Sequence, residues 1–146
     1  MLAEICKEIN NFFTSREDKK IGLIEIKDGQ LSPSFDLVNG QYYRIIGSIF
    51  NDGIYKYGED ELQDETFDGA VWLMKIPKDF LDLSKKIQSY VEKNDQTNIF
   101  VSESFGGYSY TKATKDGAPL SWRDVYKKRL NRWRKIWAYW LILLKN

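Results

Sequence analysis

The spacing of apolar residues at the start of the chain predicts a helix. These residues recur every three or four positions: Leu2, Ile5, Ile9, Phe12 and Phe13. Such spacing places apolar side chains on one face of a helix and leaves the charged residues between them on the other. The sequence becomes polar after Thr14, where we expect the helix to end.

From residue 15 to residue 76 the pattern changes to that of β structure. Apolar and polar residues alternate from Leu23 to Lys27, just before Asp28-Gly29. Asp-Gly suits the positive φ angles of a tight hairpin turn. Two further strands, 42–49 and 54–57, flank Asn-Asp-Gly at 51–53, and GAVWLMKIP predicts another strand ending at Pro77. The sequence therefore predicts a small antiparallel sheet curled into a partial barrel.

Helical spacing returns after Pro77. One apolar stripe follows this spacing: Phe80, Leu83, Ile87, Tyr90 and Val91. Proline is tolerated in the first turn of a helix. We expect this central helix to end at Asn94-Asp95.

The last segment, 121–146, predicts a long helix that is both basic and aromatic. Ser121 is a good N-cap, with Asp124 three residues later. The apolar stripe of this segment is Trp122, Val125, Tyr126, Leu130, Trp133, Ile136, Trp137, Trp140, Leu141 and Leu144. A continuous helix here would be roughly 39 Å long, more than so small a domain can cover.

Together these elements predict a single α+β domain over residues 1–146. We expect a small helical bundle, made of an N-terminal helix, a central helix and a long C-terminal helix. An antiparallel β-hairpin or partial-barrel module is inserted at 15–76.

Composition argues against several kinds of active site. The chain has no histidine and one cysteine, Cys6, so it lacks the commonest general base and the residues of a zinc site. The acidic run 59–68 lacks the spacing and central glycine of a calcium loop. We therefore expect no catalytic residue set, no cofactor and no metal. We also expect no membrane partner, because the mean hydropathy is −0.51 and no apolar run reaches the roughly 20 residues of a spanning helix.

Charge is unevenly distributed along the sequence. Residues 121–146 carry eight basic residues and one acidic residue, whereas residues 1–120 carry fourteen basic and twenty acidic residues. The basic residues alternate with Trp and Tyr, which is compatible with nucleic-acid binding through phosphate contacts and base stacking. The same helix could instead pack against neighbouring chains, with its basic face on an acidic surface. A solvated charged face and an interfacial anchor formed by the apolar end are further alternatives.

The segment 100–114, FVSESFGGYSYTKAT, has two glycines and two tyrosines but few aliphatic residues. Gly106-Gly107 suits a two-residue turn, which would place Tyr108 and Tyr110 on one face of a hairpin. An isolated hairpin is marginally stable in water. We expect this segment to be either an exposed loop or a hairpin that becomes ordered on another surface.

The order of these motifs resembles that of the head–tail connector proteins of long-tailed bacteriophages and prophages, also called adaptor or head-completion proteins. The resemblance rests on SESFGGYS at 102–109, between the central helix and the basic closing segment SWRDVYKKRLNRWRKI. It covers the helical parts, 1–14 and 77–136. The members it resembles are almost wholly helical, so the β structure here is a departure from the family pattern.

The resemblance implies a structural, non-enzymatic role in virion assembly. Such proteins form a homo-oligomeric ring, typically dodecameric, below the portal protein and dock the stopper or tail-completion protein. DNA only passes through the channel of the ring. Localisation would be the head–tail junction of the virion, after assembly in the cytoplasm of the bacterial host. The alternative function is that of a regulatory protein of a phage or mobile element that binds nucleic acid through the basic C-terminal helix.

We predict an assembly interface formed by the 100–114 segment and the last helix. Its candidate residues are Glu103, Phe105, Gly106, Gly107, Tyr108, Tyr110, Arg132, Arg134, Trp137, Trp140, Leu141 and Leu144.

Overall fold

The computed structural model describes residues 1–59, 61–101, 114–115 and 118–136. The described chain clusters into two compact units. The helical unit comprises Met1, Ala3–Asn10 and the described chain from Lys78 onward. The sheet unit comprises Leu2 and Asn11–Pro77.

Five antiparallel strands form the half-barrel of the sheet unit. They are β1 (Lys19–Lys27), β2 (Gln30–Ser32), β3 (Tyr42–Ile46), β4 (Gly53–Lys56) and β5 (Glu65–Leu73). Their order across the sheet is β2-β1-β5-β3-β4, so β5 is the central strand. β5 pairs with β1 on one side and with β3 on the other.

Turn chemistry positions the two hairpins of this sheet. Lys27 pairs with Gln30, which leaves Asp28 and Gly29 as a two-residue turn with φ angles of 55° and 79°. The hairpin predicted from Asp-Gly is therefore confirmed. The hairpin predicted around residues 51–53 is also confirmed, because β3 pairs with β4. β3 ends at Ile46 rather than at residue 49, since Gly47 has a φ of 89° and leaves the extended conformation.

Apolar residues from all but one of the strands build the core of the sheet unit. The buried cluster is Ile24, Ile26, Leu31, Leu37, Tyr43, Ile45, Leu62, Phe67, Val71 and Leu73. Alternation along β1 buries Ile24 and Ile26 and leaves Leu23 on the exposed face. β1 therefore presents one face to the core and one to solvent.

Short helices and one long helix build the helical unit. Its elements are α1 (Leu2–Glu8), α2 (Lys78–Val101), β6 (Thr114–Lys115), β7 (Ala118–Pro119), α3 (Trp122–Val125) and α4 (Lys127–Asn131). Phe80, Ile87 and Leu130 are fully buried here. None of the helices in the described ranges has the length and hydrophobicity of a membrane-spanning segment.

The predicted fold class, a helical bundle with a long C-terminal helix, is wrong. The five-stranded half-barrel is the principal architecture, and in the described part of the chain after Ser121, which reaches residue 136, helix is limited to α3 and α4. Ser121 caps α3 as expected, accepting a hydrogen bond from the Arg123 N–H. The helix breaks at Tyr126, which has φ and ψ angles of −102° and 9°.

Tertiary hydrogen bonds explain why helix does not continue from α4 into residues 132–136, the last that the structure describes. The last carbonyl groups of a helix need donors from outside the helix. The Glu8 carbonyl at the end of α1 accepts from Arg134 Nη1 (2.6 Å), and the Ile9 carbonyl accepts from the Lys135 N–H (2.9 Å). The chain at residues 134–135 is therefore held by α1 instead of continuing its own helix.

The predicted ends of the first two helices are also wrong. α1 ends at Glu8 rather than at Thr14, because Asn10 adopts a φ of 52° and its N–H bonds the Lys7 carbonyl. Asparagine tolerates this left-handed conformation and often terminates helices. α2 continues through Asn94-Asp95 to Val101, because these residues cost under about 1 kcal/mol in a helix and keep their backbone donors.

Candidate functional site

The main candidate site is a groove of about 480 Å³ between α2 and the segment 128–133, here called the basic groove. Its lining residues are Asp79, Asp82, Leu83, Lys86, Lys128, Arg129, Arg132 and Trp133. The apolar face of α2 buries Phe80, whose ring meets Trp133 edge to face with centroids 5.3 Å apart. This contact holds the half-buried indole beside α2.

Four exposed cations line the basic groove: Lys86, Lys128, Arg129 and Arg132. Among the described residues, none of the four forms an ion pair. The Arg132 guanidinium lies 4.9 Å from the centroid of the Trp133 ring, so a cation–π contact orients it. Asp79 and Asp82 lie on the α2 side, which gives the groove both signs of charge with a cationic excess.

A second groove of about 390 Å³, here called the tyrosine groove, continues along α2. It is lined by Lys85, Lys86, Ser89, Tyr90, Lys93 and Tyr126. The rings of Tyr90 and Tyr126 meet edge to face at 5.8 Å, and the Tyr90 hydroxyl donates to the Leu120 carbonyl at 2.6 Å. Lys86 lines both grooves, so cations and aromatic rings extend over a continuous surface of α2.

Arg134 has a different environment from Arg132. Its Nη1 donates to the Glu8 carbonyl, and its Nε donates to Asn131 Oδ1 at 2.9 Å. Glu8 also accepts from Arg123 Nε at 3.1 Å. Arg134 therefore stabilises the end of α1 within its own unit, whereas Arg132 is presented in the basic groove.

Only Arg132 and Arg134 of the predicted interface residues fall within the described part of the chain. The others lie outside it: Glu103, Phe105, Gly106, Gly107, Tyr108, Tyr110, Trp137, Trp140, Leu141 and Leu144. Sequence reasoning missed Lys86 as a groove residue. Its position on the polar face of α2 was visible, but its proximity to Lys128 is a tertiary property.

The sheet unit carries an acidic cavity of about 260 Å³ beside the β1–β2 turn. It is lined by Asp28, Gly29, Gln30, Leu31, Asn39, Tyr43, Tyr57, Gly58, Glu59 and Glu61. Asp64 accepts hydrogen bonds from the Asp28 N–H (3.2 Å) and the Gly29 N–H (2.8 Å). The loop after β4 is thereby attached to the turn, and three carboxylates, those of Asp28, Glu59 and Glu61, line the cavity.

A stack of cations and aromatic rings covers part of the outer face of the sheet. The Arg44 guanidinium lies 4.0 Å from the Phe12 ring centroid and 4.8 Å from that of Trp72. Lys19 Nζ lies 4.3 Å from the Trp72 centroid. Register explains the arrangement, because Trp72 of the central strand pairs with Lys19 on one side and Arg44 on the other.

The β3–β4 loop presents two exposed apolar residues, Ile49 and Phe50, above a network of hydrogen bonds. Glu65 accepts hydrogen bonds from Ser48 Oγ, from the Ile49 N–H (2.8 Å) and from Asn51 Nδ2 (2.8 Å). Asn51 is buried and bonds the backbone of Gln63 in both directions. Desolvation acts to raise the pKa of Glu65, but these hydrogen bonds outweigh it and hold that pKa below its ordinary value.

The lowered pKa of Glu65 predicts acid sensitivity of this loop. A carboxylate with a depressed folded-state pKa stabilises the fold above its unfolded pKa, near 4.5, and loses that contribution as pH falls through the folded value. We expect Glu65→Gln to melt at a lower temperature than the wild type at pH 7, and the difference to shrink below pH 4.5. Thermal unfolding followed by circular dichroism from pH 7 to pH 3 measures this.

The acid sensitivity of the wild type alone does not identify Glu65, because the pKa of a second carboxylate, that of Asp18, is also lowered. A hydrogen bond from Ser15, aided by Lys75, lowers the pKa of Asp18 against the effect of desolvation. The wild type therefore loses stability in acid for two reasons, and Asp18→Asn is the control that retains the Glu65 contribution. A pH-independent difference between Glu65→Gln and wild type would contradict the role given to Glu65.

Charge separates between the two units. The described residues of the helical unit include thirteen basic and seven acidic residues, a net charge of +6. Those of the sheet unit include seven basic and eleven acidic residues, a net charge of −4. Among the described residues there is no cluster of three or more Cys, Asp or Glu placed to hold a metal ion. The most developed candidate sites are thus charged surfaces of opposite sign.

Comparisons of the chain with protein-family models, with curated proteins and with solved structures found no match.

Proposed function

We propose that this chain is a structural virion-assembly protein, a head–tail connector. In this role its copies form a ring below the portal and link the DNA-filled capsid to the stopper or tail. The protein is assembled in the cytoplasm of the bacterial host and resides at the head–tail junction of the virion. The proposal is consistent with the resemblance of the segment SESFGGYS at 102–109 to the loop of such connectors.

One observation carries the proposal: a single chain has two compact units of opposite net charge. A ring repeats the same head-to-tail contact between neighbours, so each copy must carry two different surfaces that complement each other. Opposite charges on such surfaces accelerate encounter and fix which surfaces meet. The groove cations, which form no ion pair within the described ranges, and the carboxylates of the acidic cavity supply surfaces of this kind.

Nucleic-acid binding is the second candidate function, and the basic and tyrosine grooves favour it. Lysine and arginine beside aromatic rings can contact phosphates and stack on bases. Two features favour the connector instead. Asp79 and Asp82 line the basic groove and would repel a phosphate backbone, and the acidic counterpart of the groove is present in the same chain.

Binding to a portal protein tests the proposed function. We expect the purified chain to sediment with the portal protein encoded in the same phage genome and to add a ring of density below it in electron micrographs. A portal protein from an unrelated phage is the control. Failure of the cognate portal to bind the chain would overturn the proposed function.

The apolar end of the sequence gives a second test of the same function. A chain lacking residues 137–146 should keep the circular dichroism spectrum of the full chain, because it retains every buried core residue of the described part of the chain. We expect this shortened chain to lose portal binding in the sedimentation assay. Undiminished binding would show that Trp137, Trp140, Leu141 and Leu144 are dispensable for assembly.

A further inference from the structure

The basic groove has more cations than the helical unit neutralises. Lys86, Lys128, Arg129 and Arg132 form no ion pair with any described residue, while Asp79 and Asp82 provide only two negative charges. Unpaired like charges brought together on one surface repel each other, and a partner of opposite charge relieves this repulsion. The groove therefore suits an anionic partner.

The sheet unit carries a surface with the required charge. Asp28, Glu59 and Glu61 line the acidic cavity, and the cavity has no lysine or arginine among its described lining residues. Glu59 forms a solvent-exposed ion pair with Lys56 at 3.2 Å, whereas Glu61 and Asp28 are exposed to solvent. This surface thus presents an excess of carboxylates, one of which, Glu59, is paired with Lys56.

We propose that the basic groove of one copy receives the acidic loop of a second copy, the loop being the described residues 59 and 61–64 between β4 and β5. Both surfaces carry positive and negative side chains. Cations are in excess in the groove, and carboxylates are in excess on the loop. Lys56 beside Glu59 can face Asp79 or Asp82, while the remaining carboxylates face the groove cations. A uniformly anionic phosphate backbone offers no such partner for the two aspartates.

This contact is heterologous, because it joins two different surfaces. Repetition of a heterologous contact gives a closed ring when the rotation between copies closes, and a filament when it does not. That the contact closes into a ring rests on the proposed function. The contact itself defines which surfaces neighbouring subunits share. The contact itself is a property of the chain that can be measured without the portal.

A charge exchange between the two surfaces tests the contact. The groove variant is Lys86→Glu with Lys128→Glu, and the loop variant is Glu59→Lys with Glu61→Lys. We expect each variant alone to lower the self-association constant by about tenfold or more, because like charges then face each other. Mixing the groove variant with the loop variant should restore association between the two proteins. Sedimentation velocity at low ionic strength, where screening is weak, measures these constants.

A matched control replaces two lysines by glutamates, as the groove variant does, but at positions outside the groove. Lys127→Glu with Lys135→Glu alters two exposed lysines of the same segment that do not line the groove. We expect this control to associate as the wild type does. Circular dichroism should show that all the variants are folded.

Three outcomes would overturn the contact. The first is a groove variant that associates as well as the wild type. The second is a mixture of the groove and loop variants that does not recover association. The third is a wild type that stays monomeric while binding a short DNA duplex that the groove variant no longer binds, an outcome that would assign the groove to nucleic acid.

The portal assay separates this inference from the proposed function. A groove variant that still builds a ring on the portal overturns the contact and leaves the connector function standing. If the variants associate with each other as the charge exchange predicts but the wild type does not bind the portal, the contact is supported and the connector function is overturned.

Discussion

Gly69→Ala is expected to destabilise the sheet unit by roughly 3 kcal/mol, at the upper end of the usual cost of overpacking. Gly69 lies in the central strand β5, where a methyl group would overlap the carbonyl oxygen of Ile46 and contact the ring of Phe67. Neither neighbour can move away easily, because Ile46 belongs to the paired strand β3 and the Phe67 ring is buried in the core. β3 and β5 must therefore move apart at this point.

Hydrogen exchange with mass spectrometry can locate this effect. Peptides from β1, β3 and β5 should exchange faster in Gly69→Ala, while those from α2 should keep their protection. Asp68→Ala, an exposed neighbour on the same strand, is the control and should exchange as the wild type does. Unchanged protection in Gly69→Ala would show that β3 and β5 separate at this point at little cost.

Phe80→Ala is expected to destabilise the helical unit by about 3–5 kcal/mol, the usual cost of deleting a fully buried phenylalanine ring. Phe80 has no exposed surface and contacts the Trp133 ring edge to face. Its loss leaves a cavity and removes the support that holds Trp133 beside the basic groove. We therefore expect weaker self-association as well as lower stability.

Chemical denaturation, with exchange of α2 peptides as the local readout, measures the stability change. Phe50→Ala is the matched control, because it deletes the same ring at a site that is 63% exposed. It should change stability by less than about 1 kcal/mol, as surface substitutions usually do. Equal effects of the two substitutions would contradict the central position of Phe80 in the helical unit.

The surfaces proposed for assembly could be only partly predicted from the sequence. The basic character of residues 121–146 pointed to Arg132, which lies in the basic groove. Arg134 has the same charge and was an equal candidate, yet it bonds the end of α1. The two arginines differ in their tertiary partners, and charge patterning along a chain carries no information about such partners.

Local chemistry alone determined several features of the fold. Asp28-Gly29 specifies a tight turn because both residues tolerate positive φ, and this turn forms between β1 and β2. Ser121 specifies the start of α3 because its hydroxyl group accepts a backbone hydrogen bond. Apolar alternation specified which residues of β1 enter the core, since side chains on a strand alternate between its two faces.

Features that depend on distant residues were decided only by the tertiary structure. The central place of β5 follows from its pairing with both β1 and β3, and no local pattern encodes which strands will meet. The apolar stripe after Ser121 favoured one long helix, but hydrogen bonds to the carbonyl groups of Glu8 and Ile9 hold the chain at residues 134–135. Helix periodicity is a property of neighbouring residues, whereas the donors and acceptors that end a helix can come from anywhere in the chain.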